Sequence, residues 1–382
     1  MHIVVAPDSF KGSLSSRQVA STIEQAILAT KHSDTVTVKP MADGGEGTVD
    51  ALLSSTKGKK VSITCTGPLG DRMNTYYAIM DDNTAVIEVA NIAGLVQVPI
   101  DKRNPDVTTT YGVGEVILDA LDKGCKSMII GLGGSATNDG GLGLLQALGM
   151  KALDQFGKEV NYFGQDLVKI KDVSFTHLDK RLNDVPIQVA CDVDNPLCGE
   201  KGASTVFGPQ KGATSAQVTT YDKALAYYAQ VIENKLGRRL QDVAGAGAAG
   251  GLGFALLVLN GTLISGAKLI AEASNMKDAM KQADLVITGE GQTDQQTLYG
   301  KAPGYIADLA ANYNVPTILI SGSLAGDLDI LRTKFAGCFS IINQPLSLDE
   351  CINQAEELLF EQTKQIIHLI HSVNRISGMR IR

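Results

Sequence analysis

A count of strands narrows the fold most. At the amino end, residues 2–6 and 35–39 are short apolar strand candidates, each followed by a polar loop and an amphipathic helix. Two strands do not make a stable sheet alone. From about residue 284 the same strand-loop-helix unit returns, with strands expected at 285–288, 317–321 and 339–342 and helices over 303–312, 328–335 and 348–373. Three strands are again meagre. Joined to the first two they make five, with helices between them, the size of a flavodoxin-like doubly wound parallel sheet. The expected fold class is therefore α/β with two domains. One is discontinuous and flavodoxin-like, residues 1–60 and 284–382, and a mixed α/β domain, residues 61–283, is inserted in it.

Local signals support this division. Ser15 and Gln18 form a capping-box pattern, Leu14 and Val19 a hydrophobic staple, and Val19, Ile23 and Ile27 repeat on one helical face. A second helix is expected over 48–55. Between the two halves the texture changes to short strands at 61–66, 76–80 and 84–90, with Asp81-Asp82-Asn83 as a hairpin connection. A strand at 187–191 and a long helix over 215–236 follow.

Composition excludes several classes of protein. The 382 residues carry 34 basic and 41 acidic side chains, a net charge of −7, and no basic block. Nucleic acid and anionic membrane are thus not expected partners. No apolar run reaches spanning length, and MHIVVAPDSF has neither a basic leader nor a cleavable apolar run, because Pro7 and Asp8 end it. The 6 cysteines are scattered without a CxxC pair and the 5 histidines are dispersed, so no structural zinc site is expected and the location is read as cytoplasmic.

Chemistry concentrates where apolar strands end. Five loops stand out: residues 8–13, 42–47, 131–143, 191–196 and 288–294, each with at least one carboxylate. The third, GLGGSATNDGGLG, packs six glycines into thirteen residues. Glycine costs roughly 0.5–1 kcal/mol against alanine in regular structure, so something is expected to approach this backbone closely. A strand passing through Gly133, Gly134 and Ser135 to a helix near Gly140 or Gly141 would offer backbone N–H groups to an anion. Asp139 would repel a bare phosphate; it could hold Mg²⁺, hydrogen-bond a sugar or cap the helix. GAGAAG at 245–250 matches the dinucleotide fingerprint, but no convincing strand precedes it, and a close-packed helix start from Gly250 is expected instead. The Walker pattern and the protein-kinase signatures are absent.

Seven segments, in order, carry a family resemblance. APDSFKGSLS (6–15), PMADGGEGT (40–48), GGSATNDGGLG (133–143), ACDVDNPLCG (190–199), VFGPQKGA (206–213), GAGAAGGLG (245–253) and TGEGQTDQQTLYGKAP (288–303) together resemble the type I glycerate kinases. The likeness runs from residue 3 to at least 343. It departs at Ala244, where the family often has proline, and at Gln292-Thr293, where many members have Arg-Ile; residues 374–382 match nothing. The resemblance implies ATP-dependent phosphorylation of D-glycerate with Mg²⁺, and two α/β domains enclosing a cleft.

The residue roles are physical readings. Phosphoryl transfer demands positioning and charge stabilisation. Lys11 and Ser9 are assigned to the substrate carboxylate or γ-phosphate. Asp8 or Asp43 would accept the substrate hydroxyl proton, with Asp192 in reserve. Asp194, Glu290 and Asp294 are candidates for Mg²⁺ or its waters. Gly133, Gly134, Ser135, Thr137, Asn138, Asp139 and Gly140 form the proposed phosphate cradle, with Ser135 and Thr137 as hydroxyl donors, and Lys301 could touch a phosphate. A non-catalytic small-acid binding protein and an NAD-dependent oxidoreductase are the alternatives. The expected partners are small molecules, with the oligomeric state open.

Overall fold

The computed structural model describes residues 1–298 and 301–380, and the backbone divides into two compact units. The first takes in residues 1–43, 50–56 and the chain from 267 onward; the second takes in 44–49 and 57–266. Residues 267–283, with the helix Met276–Met280, therefore fall with the first unit, ahead of residue 284.

In the first unit five strands pair entirely in parallel, in the order Thr35–Val38, His2–Val5, Leu285–Thr293, Thr317–Leu324 and Gly337–Ser340. Counted along the chain within the unit this is 2-1-3-4-5, the flavodoxin-like order. The order reverses between His2–Val5 and Leu285–Thr293, where Ile3 lies opposite Leu285 and Val5 opposite Ile287. Open α/β sheets bind ligands just beyond the carboxyl ends of the strands at such a point.

The strand Leu285–Thr293 is longer than the expected 285–288, because the glycine-bearing stretch after Thr288 stays paired, Glu290 opposite Ser321 and Thr293 opposite Leu324. Small residues make this possible: a side chain at Gly322 would strike the carbonyl of Gly291. Glu290 therefore projects from a strand rather than a loop.

The core explains why the helices dock as they do. Ile3, Val5, Ile287 and Ile320 from the sheet meet Val19, Ile23 and Ile27 of the helix Ser16–Thr30 and Leu359, Ile366 and Ile367 of the helix Ala355–Arg380. Each such burial contributes about 1.5–3 kcal/mol. The first helix starts where its sequence says it should. Gln18 N–H donates to Ser15 Oγ at 3.3 Å, and Ser15 N–H donates to Gln18 Oε1 at 3.0 Å.

In the second unit a six-stranded sheet runs Thr262–Ile264, Ile187–Ala190, Ser127–Gly131, Thr84–Glu88, Arg72–Met80 and Gly58–Thr66. The first four are parallel and the last two antiparallel. Asn83, at φ 64, makes the turn into Thr84–Glu88. A small antiparallel pair, Lys151–Leu153 with Asp172–Ser174, and the long helix Ser215–Leu236 complete the unit's main elements. The expected helix start at Gly250 is corrected. Ala249, Gly250 and Gly251 all have left-handed backbone angles, so the stretch Ala248–Val258 becomes a regular right-handed helix only after them. No helix among the described residues is long and apolar enough to cross a membrane.

Ser15→Ala should destabilise the protein by about 1 kcal/mol, the typical worth of such a cap, read as a lower urea midpoint. An unchanged midpoint would mean that staple and core hold the helix start without the cap.

Candidate active site

The switch point of the first unit is furnished by two neighbouring loops. After His2–Val5 the chain continues beside its neighbour: Ala6 N–H donates to the Ile287 carbonyl and Asp8 N–H to that of Gly289, both at 2.8 Å. Phe10 is buried in the core, and its N–H donates to the Leu14 carbonyl, which closes a tight loop. Anchoring Phe10 inward leaves Ser9 and Lys11 flanking it on the outside. The second loop is held by Met41 N–H on the Pro7 carbonyl at 2.8 Å, which sets Asp43 beside the first. Lys11 Nζ then pairs with Asp43 Oδ2 at 2.9 Å.

Electrostatics single out Asp8. It is half-buried, and desolvation together with the like charges of Asp43 and Glu290 is only partly offset by the Ser9 N–H, 2.6 Å from Oδ1, and Lys11. The carboxyl is pushed up to about 7. Lys11 shifts upward as well, chiefly because of Asp43. Its side chain is 75% exposed in that pair, and exposed ion pairs contribute only about 0–1 kcal/mol. Stability alone therefore gives little reason for the pairing.

Glu290 is buried and accepts from Thr297 Oγ1 at 2.5 Å and Thr293 Oγ1 at 3.0 Å; Thr293 is also 2.6 Å from Ser321 Oγ. Burial raises its pKa, while Thr297 and Lys301 oppose the rise. Lys301 Nζ lies 3.7 Å from Glu290 Oε2 and 3.7 Å from Asp294 Oδ1, one ammonium facing two carboxylates. The sequence noted Thr293 only as a departure from the family pattern. Its hydroxyl joins Glu290 to the neighbouring strand, which an isoleucine there would not do.

The second unit holds the remaining candidates, Gly133, Gly134, Ser135, Thr137, Asn138, Asp139, Gly140, Asp192 and Asp194. Here the glycine loop is met by protein. A side chain at Gly133 would strike Gly45, and one at Gly141 would strike Ala255. Gly133 N–H donates to the Gly44 carbonyl and Gly140 N–H to that of Gly250. Asp139 is fully buried and accepts from Thr110 N–H at 2.9 Å, Thr110 Oγ1 at 2.7 Å, Gly141 N–H at 3.1 Å and Gly143 N–H at 3.3 Å. Burial raises its pKa and these donors oppose the rise. Of the roles left open for Asp139, this is the helix-start one. The donors expected to face an anion from Gly140 onward are engaged internally.

The other expected groupings are only partly assembled. Glu290 and Asp294 are close neighbours in the first unit, whereas Asp194 is an exposed residue of the second. Among the described residues no group of three or more His, Cys, Asp or Glu is gathered to hold a metal ion. Asp192 is exposed and accepts from Gly266 N–H at 2.8 Å. Sequence reasoning gave no role to Lys211, which is buried and donates to Ser135 Oγ at 3.0 Å and the Thr137 carbonyl at 2.6 Å. Its only signal was its place in VFGPQKGA. The dinucleotide-like GAGAAG follows the helix Ser215–Leu236 with no strand between them.

Fold and site define the class: an α/β enzyme with ionisable groups gathered at the switch point of a parallel sheet. The model of the glycerate kinase family matches residues 3–371. A glycerate kinase of Halalkalibacterium halodurans is 44% identical over 376 residues, covering 98% of this chain and 99% of the relative. A glycerate 2-kinase of Escherichia coli is 44% identical over 369 residues, covering 96% and 97%. A crystal structure from Salmonella typhimurium LT2, assigned provisionally as glycerate kinase 2, superposes with a TM-score of 0.88 at 42% identity over 98% of this chain and 99% of that one. The chain belongs to the glycerate kinase family.

Asp139→Ala should cost roughly 3 kcal/mol or more, since each buried donor left unpaired costs about 1–3 kcal/mol. Urea unfolding measures this; a loss under 1 kcal/mol would show that water or a neighbour replaces the carboxylate.

Proposed function

We propose that the protein transfers the γ-phosphoryl group of ATP to a hydroxyl of D-glycerate, with Mg²⁺, to give 2-phosphoglycerate or 3-phosphoglycerate. Membership of the family supports the acceptor. The observation that carries the mechanism is the Asp8 carboxyl at the sheet's switch point, held near neutrality beside the Lys11–Asp43 pair. A general base works best when its pKa lies close to the working pH.

In this mechanism Asp8 accepts the proton of the attacking hydroxyl. The hydroxyl oxygen bonds to the γ-phosphorus as the bond to the bridging oxygen breaks, and ADP leaves. Asp43 holds Lys11, whose ammonium meets the glycerate carboxylate or the γ-phosphate, with Ser9 beside it. Lys301, at the amino end of the helix Ala302–Ala311, is placed for a phosphate. Asp192 stays the reserve base, and the loop around Gly133, Gly134 and Ser135 the candidate phosphate contact of the second unit.

The Glu290–Asp294 pair fits Mg²⁺ in its donor chemistry. These carboxylates already face one cation together, and Mg²⁺ takes one or two carboxylates while keeping waters; Asp194 is the remaining candidate. When bound, Mg²⁺ would offset charge on the transferring phosphates. The 6 unpaired cysteines support a reducing, cytoplasmic setting.

Phosphorus NMR of the protein with ATP, Mg²⁺ and D-glycerate tests the reaction. A phosphomonoester signal should appear only with glycerate, split by one proton for the 2-phosphate and by two for the 3-phosphate; no new signal would refute the activity. Lys11→Ala and Asp43→Asn should each lower kcat/KM at least tenfold, about 1.4 kcal/mol of transition-state stabilisation, without loss of fold. Full activity in both would remove the pair from the site. The raised Asp8 pKa also fixes a sign. Below about pH 7 the carboxyl holds its proton and cannot accept another, so kcat/KM should fall as the solution becomes more acidic through that value. Asp8→Asn should be inactive throughout; a variant keeping the wild-type profile would exclude Asp8 as the base.

A further inference from the structure

Lys211 is a buried lysine, and among the described residues its side-chain nitrogen forms no ion pair. Two of its three donors go to Ser135 Oγ and the Thr137 carbonyl. Burying a charged amine this way is unfavourable unless it is compensated, whereas a methionine of similar length would fill the space without that cost. Burial draws the pKa down to about 7, and Asp139 pulls the other way. Packing alone is a poor reason to keep a lysine here.

The geometry around Ser135 offers a better one. Leu95 N–H donates to the Gly134 carbonyl at 2.7 Å and Ala136 N–H to the Ala93 carbonyl at 2.8 Å, so the backbone on both sides of Ser135 is clamped. The serine hydroxyl has one hydrogen and accepts from Lys211. That hydrogen then points away from the Lys211 nitrogen, as a donor to another group. Ser135 keeps 7% of its surface exposed, against 2% for Lys211, so of the two the serine lies nearer the solvent. Close by, among the described residues, Thr137 Oγ1 and Asn138 Oδ1 are buried without a hydrogen-bond partner.

We propose that Lys211 is a positioning residue for anion binding: by donating to Ser135 Oγ it turns the Ser135 hydroxyl toward an anionic group of a bound reactant. The anion is either a phosphate of the nucleotide or the carboxylate of the acid, and the inference rests on the kinase reaction proposed above. Lys211 acts through Ser135, and the two side chains form one unit.

Calorimetric titration of the full chain with Mg·ADP and, separately, with D-glycerate tests this and identifies the anion. Lys211→Met should weaken one of the two ligands at least tenfold and leave the other within twofold. Ser135→Ala should weaken that same ligand, and the double variant should be no worse than the poorer single. Lys211→Gln, which keeps a donor to Ser135, should recover part of the loss. Should Lys211→Met not fold, Ser135→Ala carries the same comparison between the two ligands. Unchanged binding of both ligands by the variants would overturn the proposal, as would equal weakening of both or additive losses in the double variant. Failure of the wild-type chain to bind either ligand would overturn the kinase reaction with it; normal wild-type binding with unaltered variants would overturn this inference alone.

Discussion

The electrostatics of the first unit depend on a crowding of carboxylates at the point where the parallel sheet reverses its order. Asp8 is drawn into protein by the strand that precedes it and by its bond to Gly289, and it meets the charges of Asp43 and Glu290 there. Water would ordinarily screen such a cluster. Partial burial at Asp8 weakens that screening, and the Asp8 carboxyl is pushed up to about 7. Lys11, Lys301, Thr293 and Thr297 are the compensating groups, each offering charge or a hydroxyl to one of these acids.

The second unit solves a different problem. Its glycine loop lies where other backbone segments come close: residues 44–45 on one side, Thr137 and Asn138 against Gly250 on another. Asp139 ties the helix start to Thr110, and Lys211 joins Ser135 Oγ to the Thr137 carbonyl within the loop. The glycines thus bring three loops together, and only a few side chains, Ser135 among them, keep any surface. A ligand meeting this loop meets a scaffold already assembled.

Much of this was legible in the sequence, for physical reasons that differ by element. The helix Ser16–Thr30 was readable because its cap, staple and apolar face are all local. The five-stranded sheet was readable because too few strands at either end forced the two ends together, and the observed order agrees. The far half of Leu285–Thr293 was not, because glycines that admit a neighbouring strand resemble those that make a turn. The left-handed run at Ala249 was hidden too, since helical composition does not report consecutive residues with positive φ. Lys211 was the hardest case. A lysine in sequence reads as a surface charge, and its burial follows from contacts more than seventy residues away.

Carbon-13 NMR of the protein with labelled aspartate carboxyls, assigned by the loss of one signal in Asp8→Asn, measures the crowding at the switch point directly. The structure predicts that the Asp8 carboxyl titrates near pH 7 in the free protein. Titration at the ordinary aspartate value of about 3.9 would contradict it, and with it the assignment of this cluster as the reacting centre.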